Sequence, residues 1–424
     1  MSESITEMSS FRGPFAFTDL ASLIPLEQES PVDTMFAPLK FIRHATSLVT
    51  LTSACFALAQ RIDIPLNPGS WISHAEFAST KPSSPSFEVR EGFPQGLVQL
   101  SEGSIQLRNF DFASGTIDFD MKVTGDGLPG IRFRMQGERG AENSEEFYLR
   151  PSVDCRASDD CVQYAPIING FMLWNVFPEY QTQAPVYDGW NHFKLVISGR
   201  RMNLYVNHFP EPVLKVGKLE SSSSHGTIGL VGPAQFANLT IRAGQVDGLL
   251  SSVAPDRSDN DRSIVHHWEL GSSTPFHLGK PPAFSDVPSQ AWKPVSSERF
   301  GFVNLNRLYS AQEVSPELTW LRFSVWSEKS QTKTMSLGWI GQAWIFVNGS
   351  FLTTKKNFYY PEAERQPPDG RYSLENGTVQ LVLKPGRNIV TFAVYDSIRN
   401  TGGDRTRYGW GVGASFRDTA GLRF

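Results

Sequence analysis

The sequence predicts an all-β protein built as two tandem β-sandwiches of jelly-roll type, and three observations predict it. Apolar and polar residues alternate in short runs, as in Gly115-Thr-Ile-Asp-Phe-Asp-Met-Lys-Val123, where Ile117, Phe119, Met121 and Val123 share one face and Asp118, Asp120 and Lys122 the other. Turn formers are plentiful, with 35 Gly and 28 Pro, while only 19% of residues are charged, which argues against helical bundles, coiled coils and disordered tails. The 424 residues exceed a usual single domain, so more than one core is expected. Lys plus Arg total 39 against 43 for Asp plus Glu, so no global positive field exists to hold nucleic acid or an anionic bilayer.

Residues 1–34 are a polar extension in which Glu3, Glu7, Asp19, Glu27, Glu29 and Asp33 face Arg12, and Met35 reads as the true start. Residues 35–59 read as a signal peptide: Lys40 and Arg43 precede a mostly apolar stretch that ends in Ala57-Leu58-Ala59, a small-x-small cleavage pattern. An uncleaved anchor is the alternative, although the stretch is shorter than the roughly 20 apolar residues of a span. The expectation is a secreted protein, extracellular or periplasmic, starting at Gln60 and without a membrane span after cleavage. Cys155 and Cys161 then remain as an even pair and are expected to form a disulfide.

Short strands are expected at Ile131 to Met135, Glu146 to Arg150, His192 to Ile197, Met202 to Val206, Thr227 to Val231 and Ala237 to Ile241. The small and polar run 246–262 breaks this pattern and reads as a linker between a first domain, 60–245, and a second, 263–424. Further strands follow near Ser263 to Glu269, Leu318 to Ser327, Gln342 to Val347, Thr378 to Leu383, Asn388 to Tyr395 and Tyr408 to Phe416.

In the first domain, Trp190-Asn-His-Phe-Lys-Leu-Val-Ile-Ser-Gly199 leads into Met202-Asn-Leu-Tyr-Val-Asn207, Thr227-Ile-Gly-Leu-Val231 and Phe236-Ala-Asn-Leu-Thr-Ile241. This succession resembles the concanavalin A-like, laminin G-type jelly roll and the 3-keto-disaccharide hydrolase-like domains on the same fold. The resemblance covers roughly residues 86–243 and implies a fold shared by lectins, glycosidases, lyases and adhesion modules. In the second domain, Trp344-Ile-Phe-Val-Asn-Gly-Ser350, Leu383-Lys-Pro-Gly-Arg-Asn-Ile-Val-Thr-Phe392 and Tyr408-Gly-Trp-Gly-Val-Gly413 resemble the galactose-binding-like jelly roll appended to many glycosidases.

Alternation selects a candidate binding face in the first domain. With Ile131, Phe133 and Met135 inward, Arg132 and Arg134 project to the other side, as do Glu146, Tyr148 and Arg150 when Phe147 and Leu149 face the core. Gln163, Tyr164, Trp174 and Asn175 are expected to complete the surface. Guanidinium forks suit hydroxyls and carboxylates, and aromatic rings suit the C–H face of a sugar; cross-strand ion pairing on a solvated sheet is the competing reading. A second candidate is the aromatic loop Phe358-Tyr359-Tyr360.

Reaction motifs are wanting. Asp118-Phe-Asp120-Met-Lys122 lacks both glutamates of the family 16 glycosidase strand, and no proton-transfer pair of the alginate-lyase kind is evident. His192 reads as structural. No phosphate loop, nucleophile elbow, metal-ligand spacing or cofactor motif is present, so neither metal nor cofactor is expected. The resulting expectation is a non-catalytic secreted protein that binds carbohydrate or a glycan-bearing surface. The alternatives are a glycan-processing hydrolase or lyase acting on the first domain's concave face, and a structural adhesion scaffold.

Overall fold

A computed structural model of the chain describes residues 60–74, 84–138, 140–277, 279–289, 291–311, 317–396 and 408–424. The expected extension at 1–34 and signal segment at 35–59 lie outside the described residues. The fold is all-β, two jelly-roll sandwiches in tandem, with only short 3-10 turns besides strands among the described residues.

In the first sandwich, one sheet runs Leu214–Val216, Arg201–Val206, Trp190–Ser198, Gly115–Val123, Ala234–Ala243, Phe93–Leu100 and Ser86–Arg90, with Arg61–Asp63 also on Ala234–Ala243. The other runs Phe171–Met172, Val162–Ile168, Asn143–Leu149, Gly130–Gln136, Thr227–Val231, Ser104–Leu107 and Trp71–His74, with Gln181–Thr182 on Val162–Ile168. The predicted alternation builds the core between them. Ile117, Phe119 and Met121 from the first sheet meet Ile131, Phe133, Phe147 and Leu149 from the second. The Phe193 ring lies 5.4 Å from those of both Phe119 and Phe147. Each such phenyl contributes about 2–3 kcal/mol by leaving water, and truncating Phe193 to Ala would cost about 3–5 kcal/mol. At Gly130 a Cβ would lie 1.9 Å from the Phe147 carbonyl oxygen, so only glycine admits this pairing.

The second sandwich is organised by one long strand, Gln331–Val347. Its first half pairs with Gly377–Leu383 and Gly411–Phe416, and its second half with Gly386–Tyr395 and Ser350–Asn357. The strand passes between these partner sets at Gly341, where φ is +97° and a Cβ would sit 2.6 Å from the Tyr395 carbonyl oxygen. Gly386–Tyr395 is buried on both faces: Val390, Phe392 and Val394 enter the main core, while Ala393 and Tyr395 pack with Phe276, Trp320, Trp344 and Phe346. Asn348-Gly349, an Asn-Gly pair of the kind that favours tight turns, makes one with φ of 50° and 86°. Asn376-Gly377 does not: the Asn376 side chain instead accepts hydrogen bonds from the backbone of Trp339 and Ser373, at 3.2 and 3.0 Å, and fastens a loop.

Residues 246–262 are tied down along much of their length. Ala254 N–H donates to the Gly217 carbonyl at 2.9 Å, Asp247 pairs with Lys194 at 2.6 Å, and the Ser258 hydroxyl accepts from Phe300 N–H at 2.8 Å. The two sandwiches belong to one compact unit. At their junction the Asn175 side chain both accepts from Gly409 N–H at 3.0 Å and donates to its carbonyl at 3.3 Å, while Tyr372 N–H donates to the Asn175 carbonyl at 2.8 Å. Arg299 pairs with Glu179 at 2.9 Å, and the Asn169 amide donates to the Asn306 carbonyl at 2.9 Å.

Candidate functional site

The face expected to bind ligand exists, but it is not an open surface. Arg132 pairs with Glu146 at 2.9 Å, the Tyr148 hydroxyl donates to Gln163 Oε1 at 2.7 Å, and Arg150 donates to Gln163 Oε1 at 2.6 Å and to the Tyr148 hydroxyl at 3.0 Å. Gln163 Nε2 donates to the Trp174 carbonyl at 2.9 Å. Arg132, Glu146, Tyr148, Gln163 and Trp174 are all buried, which corrects the expectation of an exposed sheet. Over Trp174 the cover is the second sandwich. Tyr359 and Tyr408 meet the Trp174 ring edge-on at 4.8 and 5.4 Å, and the Arg371 guanidinium lies 5.3 Å from its centroid. The ring faces expected to stack on sugar are thus spent on protein contacts.

Two expected members are elsewhere. Tyr164 pairs with Phe147 across the sheet, whereas Gln163 pairs with Tyr148, so Tyr164 points to the opposite, core-facing side. Arg134 sits at a β-bulge with φ of 55°, and the irregularity breaks the alternation that would have aligned it with Arg132. In the aromatic loop Phe358 is buried, Tyr359 is held on Trp174, and Tyr360 alone is exposed. Trp339, Trp344 and Trp410 are buried in cores.

Arg134 and Tyr164 lead to a different place, a cleft of about 450 Å³ between the sandwiches. The first sandwich contributes Ser114, Arg134, Glu145, Gly199, Arg200, Lys218 and Ser221 to Ser224, and the second contributes Glu298 and Arg307. Arg134 is fastened by donating to the Ala113 carbonyl through Nε at 2.8 Å and to the Gly199 carbonyl through Nη2 at 2.6 Å. Arg200 donates through Nε and Nη2 to the Leu219 carbonyl at 3.0 and 2.7 Å. Arg307 joins the sandwiches by pairing with Glu298 and, at 3.4 Å, with Glu220.

Glu145 is the chemically distinctive group here. It shares the inward row of Phe147 and Leu149, is wholly buried, and burial pushes its carboxyl up to about 7 against the opposing pull of Tyr164, Arg134 and the Ser221 N–H. The Tyr164 phenol is held protonated far into the alkaline range by burial; its hydroxyl donates to Glu145 Oε2 at 2.6 Å and accepts from Glu220 N–H at 2.7 Å. Ser221 N–H also donates to Oε2, at 3.3 Å. Oε2 is therefore committed as an acceptor, and the proton of the neutral acid resides on Oε1, which has no partner among the described residues. The cleft is thus lined by serine hydroxyls and cations, with a buried carboxylic acid in its wall.

Two further clusters are structural. His192 Nδ1 pairs with Asp120 at 2.7 Å, Arg242 pairs with Asp118 at 2.7 Å, and His208 stacks on His192 at 4.3 Å, on the outside of the other sheet. The Cys155–Cys161 disulfide forms as expected and borders a second cavity of about 420 Å³, with Val153, Val186 and Tyr187 in its walls. Among the described residues no group of three or more His, Cys, Asp or Glu is placed to hold a metal ion, and no helix is long and apolar enough to cross a membrane. Glu145, Arg200, Lys218, the serine run, Glu298 and Arg307 were not singled out from sequence. Only Glu145 carried a signal, a charge in register with core-facing Phe147 and Leu149.

No protein-family model matches the chain, and no curated protein matches it. Among solved structures, the carbohydrate-binding module CBM66 from Bacillus subtilis is similar at 17% identity over 41% of this chain and 95% of its own, with a TM-score of 0.29. A protein of unknown function with a galectin-like fold from Bacillus subtilis is similar at 11% identity over 44% of this chain and 96% of its own, TM-score 0.31. The exoplasmic/lumenal domain of VIP36, in its Ca2+/Man3GlcNAc-bound form, is similar at 11% identity over 47% of this chain and 93% of its own, TM-score 0.29. Identities this low concern the sandwich fold alone.

Proposed function

We propose that this chain binds carbohydrate without turning it over, and that the ligand occupies the cleft between the two sandwiches. The observation that carries the reading is the composition of that cleft: Ser114 and Ser221 to Ser224, Arg134, Arg200, Lys218 and Glu145, with no apolar side chain in its walls among the described residues. Serine hydroxyls donate and accept, and arginine and lysine donate, which suits the hydroxyls of a polyhydroxylated ring. An apolar ligand would leave these groups unpaired at about 1–3 kcal/mol each. The volume of about 450 Å³ falls within the usual range for small-molecule sites. On this reading Arg134 contacts the ligand, Tyr164 positions Glu145 from behind, and Arg132, Glu146, Tyr148, Arg150, Gln163 and Trp174 hold the second sandwich in place. Export to an oxidising compartment fits the disulfide and the signal-like segment, and an intact mass starting at Gln60 would support it.

Glycan cleavage is the second reading, favoured by one observation: Glu145 keeps its proton up to about pH 7, as a general acid must. A glycan array followed by product analysis on any bound oligosaccharide tests both. Binding with intact oligosaccharide recovered supports the first reading. Turnover abolished by Glu145→Gln with binding retained replaces it by the second, and no binding to any glycan leaves a structural scaffold.

A further inference from the structure

We infer that the cleft takes a sugar bearing an anionic substituent, a carboxylate or a sulfate ester, seated against Arg134 and Arg200 with Lys218 beside them. The inference rests on the reading of the cleft as a sugar site and adds the ligand's charge. Arg134 is only 2% exposed, yet its hydrogen bonds go to the Ala113 and Gly199 carbonyls, which fix its direction and cancel none of its charge. Arg200 is likewise held by a carbonyl, that of Leu219. Neither guanidinium has a carboxylate within ion-pair distance among the described residues. The bond from Arg134 to the Gly199 carbonyl brings it against the residue preceding Arg200; burial depresses the Arg134 affinity for its proton, and repulsion from Arg200 adds a smaller push the same way.

The carboxylates of the neighbourhood relieve this only in part. Glu298 is engaged by Arg307, and Glu220 by Lys218 at 2.9 Å and by Arg307. Glu145 attracts Arg134, but burial pushes its carboxyl up to about 7, so it supplies a full counter-charge only above neutrality. On both arginines Nη1 has no acceptor among the described residues, so two N–H pairs remain for a ligand, while Glu145 Oε1 is buried behind them. A carboxylate or sulfate matches that set, because it accepts charge-assisted bonds from the guanidinium groups. A neutral hydroxyl leaves the two cations facing each other.

Isothermal titration of the full-length protein decides it, with an oligogalacturonate, its methyl ester, a sulfated galactan oligosaccharide, its desulfated form and inorganic sulfate as probes. The expected result is that esterification or desulfation weakens binding about tenfold, and that Arg200→Met weakens the charged probe about tenfold and the neutral one by distinctly less. Arg200 and Lys218 reach the solvent side of the cleft, so Arg200→Met and Lys218→Met are the variants of choice, with urea denaturation confirming that both fold. The carboxylate and sulfate arms tell the two anions apart. Equal affinity for charged and neutral probes, or equal losses for both in Arg200→Met, overturns the inference and leaves the sugar site standing. Sulfate binding that is lost in Arg200→Met, with no sugar bound in any form, upholds the anion site and overturns the sugar reading.

Discussion

Replacing Glu145 by Gln should make the protein more stable at neutral pH and change nothing in acid. Burial pushes this carboxyl from 4.5 to about 7 in the folded protein, while the unfolded chain exposes it to water and returns it to its ordinary value. Between these limits the folded state holds a proton that the unfolded state has released, so stability falls as pH rises, by about 1.4 kcal/mol per pH unit. The loss is absent below pH 4.5, accumulates up to about 7 and then stays constant, at a total of about 3 kcal/mol. Glutamine has no proton to release, and its amide oxygen still accepts the Tyr164 hydroxyl. Urea denaturation of both proteins from acid to mildly alkaline pH should give curves that coincide in acid and diverge by about 3 kcal/mol above neutrality, the variant being the more stable. A constant gap across the series would mean that Glu145 is solvated or already ionised, and the assignment of the Oε1 proton would fall with it.

Other expectations are simpler. The His192 imidazole is pushed up to about 9 by hydrogen bonds to Asp118 and Asp120, so its contribution is complete below about pH 6.5 and lost as pH rises through 9; screened by solvent, it is worth about 1 kcal/mol, and the stability gap between the native chain and His192→Gln should close over that interval. Gly341→Ala should cost about 3 kcal/mol by denaturant titration, since a side chain there meets both a positive φ and the Tyr395 carbonyl; a neutral substitution would mean that the long strand bends elsewhere. Cys155→Ala should cost about 2 kcal/mol, as expected for opening a loop between cysteines six residues apart, without loss of β circular dichroism. Trp174→Ala removes the ring on which Tyr359 and Tyr408 sit, and should speed proteolytic cutting within 246–262 while both sandwiches keep their β signal; an unchanged rate would show that the junction holds without it.

The strands that alternate were legible because a half-buried sheet imposes its period on the sequence. Gly115–Val123 and Trp190–Ser198 fall where the pattern places them. Gln331–Ile340 escaped, because this half of the strand starts polar, contains Gly338 and is buried on both sides toward its end, so no period survives. Val162–Ile168 is buried throughout for the same reason, and nothing in its run said that Tyr164 and Gln163 serve opposite faces. Alternation named the face of Arg132, Glu146 and Tyr148 correctly; what lies on that face is decided by residues some 200 positions further along the chain, such as Tyr359 and Arg371, which no local pattern can foresee. The cleft has the same origin, because Glu298 and Arg307 approach Glu145 only through the docking of the second sandwich.

That docking has a thermodynamic corollary. The cleft has walls from both sandwiches, so it exists only while they are together, and any occupant that touches both walls is also a clamp. At a hundred times its dissociation constant a ligand adds about 2.7 kcal/mol to whatever state it selects. Here that state is the joined one, and by reciprocity a substitution that loosens Asn175 from Gly409 weakens the ligand without ever touching it. The asparagine at the seam and the arginines in the cleft, far apart in sequence, thus act on one equilibrium.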